Sequence, residues 1–320
     1  MTAAMRQASD NALERATRSL VRHFRRQRPL RAGSLIITIF GDSIAPRGGS
    51  ISLASLIELA RPFGLTERLV RTSVARLAKD GWLESERRGR LSFYRLASHG
   101  RTRFAEATRR IYGENLADWN GHWTLVMLPR HSRAQRERLR EEMLWLGFGQ
   151  LAPGLFAHPE RELEDVREEM RGLGVANGAL LMQAMTGDME EDRRLAATSW
   201  DLTELSRRYR RFVELFRPAL ASLRPGVTPP SQAAFIIRTL LIHEYRKIHL
   251  RDPLLPASLL PQAWVGAAAY ELCRSLYARV FAAAECYLSE NVTTEKGRLA
   301  PPTESAYRRF GGLPTSFAAR

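Results

Sequence analysis

Two stretches of apolar side chains at helical spacing flank a short break at residues 62–65. The first stretch predicts a helix over residues 53–61, which Pro62 ends because proline disfavours helical backbone in the residue before it. Thr66 is a suitable N-cap and Glu67 favours the positive end of a helix dipole, so a second helix is predicted from there to about residue 80. The pattern therefore predicts two helices joined by a tight turn.

The second of these helices has an apolar face and a cationic face. At 100° per residue, the apolar side carries Leu69, Val70, Val74 and Leu77. The opposite side carries Arg68, Arg71, Thr72, Ala75 and Lys79, with Arg76 at its edge. A cationic helix face is often no more than solvated surface, so the residues that follow decide between a solvated face and a binding face.

A hairpin with a cationic tip is predicted directly after this helix. Residues 83–87 and 91–96 form two strand-like runs on either side of Arg88-Gly89-Arg90. Such a helix fits a major groove while the arginines of the hairpin reach phosphates or the neighbouring minor groove. We therefore predict a winged-helix DNA-binding domain over residues 30–115. Base contacts are predicted from Arg68, Arg71 and Thr72, with Arg76 beside them, and phosphate contacts from Lys79, Arg88 and Arg90.

The distribution of charge supports a nucleic-acid partner. The net charge is +15, and residues 1–112 hold 22 Arg and Lys against 9 Asp and Glu. Clustered cations of this kind are the electrostatic footprint of a protein that neutralises phosphates. The two cysteines, Cys273 and Cys286, have no metal-ligand spacing and are predicted to be buried free thiols in a reducing cytosol. With no apolar run of transmembrane length, we expect a cytoplasmic protein that does not bind membranes.

The 320 residues, 44% of them hydrophobic, allow two or three domains with cores of their own. Residues 1–29 predict a basic amphipathic leader helix, which is an arm touching DNA, a dimerisation element or a helix packed on the next domain. Alternating strands and helices predict a ferredoxin-like α+β domain over residues 118–190. A C-terminal helical domain for effector binding or dimerisation is predicted over 195–290, and a flexible tail over 291–320. The predicted fold class is thus α+β multidomain, with a C-terminal part that is mainly helical.

Two sets of motifs, about 200 residues apart, carry a resemblance to a known family. The first comprises Gly41-Asp42-Ser43, Arg47-Gly48-Gly49, Phe63-Gly64-Leu65 and Val70-Arg71-Thr72. The second comprises His243, Tyr245-Arg246-Lys247, Leu250-Arg251-Asp252-Pro253 and Trp264. Together they resemble the signatures of the PaaX family, which are repressors of bacterial phenylacetate-degradation genes. The resemblance implies a repressor that responds to phenylacetyl-CoA or a related acyl-CoA, and we expect it to bind a palindromic operator in duplex DNA as a homodimer.

The second set of motifs also suggests where an effector binds. From the residues alone, a dense group of cations beside aromatic rings either holds phosphates or is merely the basic face of an amphipathic helix. The resemblance favours the first, because an acyl-CoA needs cations for its phosphates and apolar walls for its acyl group. The expected phosphate partners are Arg246, Lys247 and Arg251, and the expected walls are Tyr245 and Trp264, with His243 in the same set.

Catalysis finds little support in the sequence. There is no glycine-rich phosphate loop, no nucleophile elbow and no metal-spaced His or Cys set, so no catalytic residue, metal or cofactor is expected. The rival hypothesis is a nucleic-acid-processing or RNA-binding protein built on the ferredoxin-like domain, which in PaaX relatives is similar to a CRISPR-associated nuclease. A nuclease needs carboxylates near the end of the first strand, and this one ends Met127-Leu128-Pro129-Arg130. The acidic run at residues 188–192 is interpreted as a solvated loop.

Overall fold

The chain divides into two compact units. The computed structural model describes residues 3–113, 119–129, 132–175 and 178–313. The first unit comprises Met1–Glu114, Arg210–Leu250 and Ala267–Arg320, and the second unit comprises Asn115–Tyr209 and Arg251–Gly266. Residues 195–290, which were expected to form one domain, are therefore divided between the two units.

Residues 3–113 form helices and a small antiparallel sheet. The elements are α1 (Ala3–Arg26), α2 (Ala32–Ile39), β1 (Ser50–Ser52), α3 (Leu53–Ala60), α4 (Glu67–Lys79), β2 (Leu83–Arg88), β3 (Leu91–Leu96) and α5 (Ser98–Tyr112). The strand order is β1-β3-β2. Helix α4 packs against α2, α3 and β2. The two helices and the hairpin predicted from the sequence are therefore present, with bounds within one or two residues of the predicted ones.

Residues 119–199 contain a four-stranded sheet with helices. The elements are β4 (Trp123–Met127), α6 (Arg133–Trp145), β5 (Gly149–Ala152), β6 (Leu155–His158), α7 (Leu163–Gly172), β7 (Leu180–Ala184) and α8 (Met189–Ser199). The sheet is antiparallel with the order β5-β6-β4-β7, and a core including Val126, Met143, Phe156 and Val166 joins it to α6 and α7. This β-α-β-β-α-β arrangement fits the predicted ferredoxin-like fold. The sequence pattern had not predicted β5.

The sequence had suggested that the acidic run after β7 is a solvated loop, and this interpretation is wrong. Asp188 is the N-cap of α8, and its Oδ1 accepts hydrogen bonds from the backbone N–H groups of Glu190 and Glu191, both at 2.9 Å. Asp192 is buried and accepts a hydrogen bond of 2.6 Å from Nε1 of Trp123. Acidic residues stabilise the first turn of a helix because they oppose its dipole. The run therefore begins a helix that packs on the sheet.

The rest of the chain is mainly helical, as predicted. The elements are α9 (Leu202–Ser222), α10 (Ser231–His249), α11 (Val265–Asn291), β8 (Thr293–Thr294), β9 (Gly297–Arg298) and α12 (Glu304–Tyr307). Residues 291–313 are not a flexible tail, because they form a short hairpin and a helix and bury Arg309 and Phe310. Residues 314–320 lie outside the described residues. Both cysteines are free, but Cys286 is exposed and only Cys273 is buried as expected.

A buried group of charged side chains holds the first unit together. Asp42 accepts hydrogen bonds from Nε of Arg238 at 2.7 Å and from the hydroxyls of Tyr112 at 2.7 Å and Tyr277 at 2.8 Å. Nη1 of Arg309 lies 3.0 Å from the same carboxylate. These contacts join the turn after α2 to α5, α10, α11 and the C-terminal segment. We call Asp42, Arg238, Arg309, Tyr112 and Tyr277 the buried charge cluster.

Titration in this cluster is governed by burial and by the cations. Burial alone would raise the pKa of Asp42, but Arg238, Arg309 and the hydrogen bond from Tyr112 together hold it below its ordinary value. Burial and the Asp42 carboxylate raise the pKa of Tyr112 well above its ordinary value. At neutral pH the cluster is therefore an ionised aspartate surrounded by two guanidinium groups and two neutral phenols.

Candidate nucleic-acid interface

Helix α4 is fixed in place by its first turn and by one apolar face. Gly64 takes the left-handed conformation, with φ of +77°, and so ends the preceding turn. The hydroxyl of Thr66 then accepts a hydrogen bond of 3.3 Å from the backbone N–H of Leu69. Val70 and Val74 are fully buried. The predicted cap is confirmed. Of the predicted apolar face, Val70 and Val74 are buried and Leu69 and Leu77 are partly buried, so the opposite face is held toward solvent.

The exposed face of α4 carries every side chain that the sequence assigned to DNA there: Arg68, Arg71, Thr72, Arg76 and Lys79. Arg71 forms an exposed ion pair of 2.7 Å with Glu67, and Nε of Arg76 lies 3.9 Å from Asp80. The hydroxyl of Thr72 donates to the carbonyl of Arg68 at 2.8 Å. Exposed ion pairs contribute little to stability. The guanidinium groups can thus exchange these partners for an anionic ligand at small cost.

The tip of the β2–β3 hairpin is exposed and cationic. Gly89 has φ of +61°, and Arg88 and Arg90 on either side of it are exposed. Nε of Arg88 lies 2.7 Å from Glu86. The other carboxylate of the hairpin, Glu84, is nearer its base, where it forms a 2.7 Å ion pair with Arg95. Carboxylates therefore lie along the hairpin below its tip, and cations lie at the tip.

The cap of α4 gives a first testable prediction. Replacing Thr66 by Ala removes the acceptor for the N–H of Leu69, and removal of such a cap typically costs about 1 kcal/mol. We expect T66A to lower the unfolding free energy by that amount in urea denaturation. Thr303 also precedes a helix but makes no capping hydrogen bond, so T303A is a matched control that should leave stability unchanged. Equal effects of the two substitutions would contradict the assigned cap.

The residues expected to bind an effector do not form one surface set. His243 and Tyr245 are fully buried in α10, and Nδ1 of His243 lies 3.1 Å from Oγ1 of Thr38. Arg251 and Trp264 belong to the second unit, whereas His243, Tyr245, Arg246 and Lys247 belong to the first. His243 and Tyr245, which were expected to belong to the effector site, are therefore enclosed by the fold of the first unit. Helix α10 is apolar over most of its circumference, so neighbouring helices cover it.

The cations of α10 already have partners within the first unit. Arg246 donates from Nε to Thr38 at 2.8 Å and from Nη2 to the hydroxyl of Ser34 at 2.6 Å. Nζ of Lys247 lies 2.9 Å from Glu244 and 3.3 Å from Oε1 of Gln27. Burial lowers the pKa of Arg246 to about 10, which leaves it charged at neutral pH. These two side chains tie α10 to α1 and α2 instead of standing free for phosphates.

Buried His243 gives a second prediction, on the pH dependence of folding. Burial, and then the charges of Arg246, Lys247 and Arg31, lower its pKa well below the ordinary 6.5. A histidine with a depressed folded-state pKa stabilises the fold above its unfolded pKa, and that stability is lost as pH falls. We therefore expect the unfolding free energy to fall between about pH 7 and pH 5.

The His243→Gln variant should show a flatter pH profile than the wild type over the same range. Gln keeps a polar contact toward Thr38 but does not titrate. The matched control is His23→Gln, at an exposed position of α1, which should retain the wild-type profile. Thermal melts across a pH series measure the effect, and an unaltered profile in H243Q would show that another group governs the dependence.

The leader helix α1 proves to be packed on the first unit, which was one of the three alternatives left open. Leu13, Leu20 and Phe24 are buried, and α1 packs on α10. The ring centroid of Phe24 lies 6.4 Å from that of Phe63, in the turn before α4. The arginines of α1 between residues 15 and 26 are all exposed. Packing on the first unit leaves this outward cationic face open to a partner such as DNA, a contact that the sequence had raised as an alternative.

The described residues offer no group of three or more His, Cys, Asp and Glu side chains placed to hold a metal ion. In the ferredoxin-like domain, β4 ends at Met127, and the next two residues of the described chain are Leu128 and Pro129. Arg130 lies outside the described residues. Among the helices that are described, none has the length and apolarity needed to cross a bilayer.

Comparison with known proteins gives consistent matches along the chain. Family models match residues 31–100 (PaaX-like protein), 116–196 (PaaX protein central Cas2-like domain) and 200–290 (PaaX-like protein C-terminal domain). The chain is 38% identical over 291 residues to the transcriptional repressor PaaX of Escherichia coli (strain K12), which covers 89% of this chain and 92% of that protein. The solved structure of the uncharacterized protein Rv0674 from Mycobacterium tuberculosis is similar with a TM-score of 0.47 and 23% identity, covering 72% of this chain and 89% of that one. Since the three family models follow one another in order and the E. coli relative spans nearly the same length, the chain belongs to the PaaX family.

Proposed function

We propose that this protein is a DNA-binding transcriptional repressor, and that residues 30–115 form a winged-helix domain in which α4 is the recognition helix and the β2–β3 hairpin is the wing. One observation carries the proposal: α4 is capped and anchored on its apolar face while its opposite face and the adjacent hairpin tip expose cations. The family membership and the function named for the E. coli relative support it. The role is regulatory and not enzymatic, and it places the protein in the cytoplasm with the chromosome.

Each cation has a proposed role on the duplex. Base edges in the major groove are read by Arg68, Arg71 and Thr72, and Arg76 stands beside them. Phosphates are contacted by Lys79, Arg88 and Arg90. A homodimer presents two such surfaces related by two-fold symmetry, which matches an operator with two inverted half-sites.

The proposed signal is an aryl-acyl-CoA such as phenylacetyl-CoA, the effector class implied by the family, which releases the operator by binding more tightly to a form that does not bind DNA. Coupling of this kind is typically about 1–3 kcal/mol, or roughly 5- to 150-fold in affinity. Of the residues first assigned to the effector, exposed Arg251 and partly exposed Trp264 remain candidates for phosphate and acyl contacts. His243 and Tyr245 leave the proposal because they are fully buried.

Selection of binding sites from a random duplex library tests the proposal and identifies the operator sequence in the same experiment. We expect enrichment of one sequence with inverted half-sites, and weaker binding of that duplex when phenylacetyl-CoA is added. Failure to enrich any duplex sequence would refute the repressor. Preference for RNA, or cleavage that depends on a divalent cation, would instead support a protein that acts through the ferredoxin-like domain. Enrichment without release would leave a repressor that answers to another signal.

A further inference from the structure

We propose that the outward face of α1 is a second DNA-contacting surface, which binds the phosphate backbone of the same duplex that α4 reads. The cationic stripe is defined as Arg15, Arg18, Arg22, Arg25 and Arg26. This inference rests on the proposed DNA binding and extends it to a part of the chain that lies before the first matched family segment, residues 31–100.

The stripe stands on a helix that is anchored to the fold. On its inner side Leu20 and Phe24 are 3% and 1% exposed, and Phe24 contacts the rings of Phe63 and His243 edge-on. Gln27, just after the helix, donates a hydrogen bond of 2.7 Å to Glu244 of α10. Because α1 is fixed in this way, the backbone positions of its arginines are defined, and binding has to order only their side chains.

The cations of the stripe are available to an anionic ligand. Among the described residues, no carboxylate lies within ion-pair distance of Arg22, Arg25 or Arg26, and Arg18 has only an exposed contact of 3.5 Å with Glu14. From residue 15 to residue 26 the helix rises about 16 Å. Measured along the axis of B-DNA, this length corresponds to roughly five phosphates of one strand. The stripe therefore matches an extended polyanion better than a single small anion.

The stripe is adjacent to the start of the proposed recognition helix. Nε of Arg25 lies 2.8 Å from the position that a Cβ would occupy on Gly64, two residues before the N-cap of α4. Four arginines of the stripe and Pro62 line one open groove: Arg18, Arg22, Arg25 and Arg26. In helix-turn-helix proteins the N-terminal residues of the recognition helix contact base edges. A duplex bound at the N-terminus of α4 therefore has its phosphate backbone close to the end of α1 that carries Arg25.

The experiment measures duplex affinity as a function of salt for the full-length protein. Two probes are used, the operator from the library selection and a duplex of unrelated sequence. The logarithm of the association constant falls linearly with the logarithm of the salt concentration, and each neutralised phosphate adds about 0.9 to the magnitude of this slope. The R22A/R26A variant should lower that slope by about 0.9 for each phosphate that it no longer neutralises, equally on both probes, because phosphate binding carries no sequence information. R22K/R26K should keep the wild-type slope.

Two comparison variants separate local contacts from other effects. R136A/R138A removes the same charge from exposed positions of α6 in the second unit and should leave the slope at the wild-type value. R68A should weaken operator binding more than non-specific binding. If R68A behaves so while R22A/R26A keeps the wild-type slope, the stripe is not a DNA surface although the repressor proposal stands. If the wild-type protein binds no duplex, the repressor proposal and the DNA-contacting role of the stripe both fail. Loss of phenylacetyl-CoA binding alone in R22A/R26A would assign the stripe to the effector and overturn the inference.

Discussion

Replacing Asp42 by Asn is expected to lower the unfolding free energy of the protein more than T66A does. The substitution keeps the shape of the side chain but removes the carboxylate that pairs with both Arg238 and Arg309, which are 1% and 4% exposed. Arg238 keeps a second ion pair with Glu285, whereas Arg309 loses the carboxylate of the cluster that it contacts. Removing one partner of a buried ion pair typically costs about 3–5 kcal/mol, because the remaining charge is left in a medium of low polarity. Urea denaturation of D42N should therefore show a decrease of that size in the unfolding free energy at neutral pH.

The effect of D42N should depend on pH in a defined direction. The pKa of Asp42 is depressed in the folded state from its ordinary 3.8, so its stabilising contribution is fully present above that value and is lost as pH falls below it. The difference between wild type and D42N should thus be largest at neutral pH and shrink toward acidic pH. A difference that grew on acidification would contradict the assigned ionisation state.

Two further variants show whether the cost comes from the uncompensated cations. D42N/R309M removes one of the cations left without its carboxylate, so its destabilisation should be smaller than the sum of the single substitutions. E304Q removes a carboxylate from an exposed pair with Arg308, both side chains being more than 70% exposed, and should leave stability nearly unchanged. Strict additivity in the double variant would mean that the buried charge cluster does not act as a unit.

The second large effect is expected on DNA recognition by α4. Arg68→Ala should weaken binding to the selected operator by roughly 5- to 150-fold, because one good base contact is worth about 1–3 kcal/mol. It should also reduce discrimination between the operator and a duplex of unrelated sequence. Lys79→Ala, by contrast, should weaken both duplexes alike, since a phosphate contact carries no sequence information. Fluorescence anisotropy titrations at fixed salt measure both variants.

A control for these variants is available in the same unit. Arg211 is exposed on α9, and its replacement by Ala changes net charge by the same amount as R68A or K79A. R211A should retain wild-type affinity for both duplexes. If R68A and R211A were indistinguishable on the operator, α4 would not be the recognition helix, and the winged-helix proposal would have to be withdrawn.

The region of α3, α4 and the hairpin was predictable from sequence because its signals are local. Pro62, Gly64, Thr66 and Gly89 each determine the backbone within a few residues, and the apolar positions of α4 fall on one side of the helix. The exposed positions of the candidate site follow from that same periodicity. Such signals do not depend on the rest of the chain, so bounds and burial agreed with the prediction.

Features of the second unit were missed for different reasons. Strand β5 contains Gly149 and shifts register between Gln150 and Ala152, so it shows no regular alternation of apolar and polar side chains. Helix α8 did have a local signal, since Asp188 is a favourable N-cap followed by acidic residues in the first turn. That run was interpreted as a solvated loop because charge was weighed above capping.

The C-terminal segment and the effector residues depended on contacts that are distant in sequence. Arg309 meets Asp42 across 267 positions, and no periodicity near residue 309 reveals that pairing. In α10, apolar side chains surround the helix, so the sequence does not tell which neighbours Arg246 and Lys247 face. Only the packed structure shows that these cations turn toward α1 and α2.

Hydrogen–deuterium exchange of the full-length protein, with and without the selected operator duplex, tests the central claim most directly. The account predicts that the duplex slows exchange in α4 and in the β2–β3 hairpin, while the sheet of the ferredoxin-like domain exchanges as in the free protein. Protection confined to residues 119–199, with α4 and the hairpin unchanged, would contradict the account and transfer the nucleic-acid interface to the second unit.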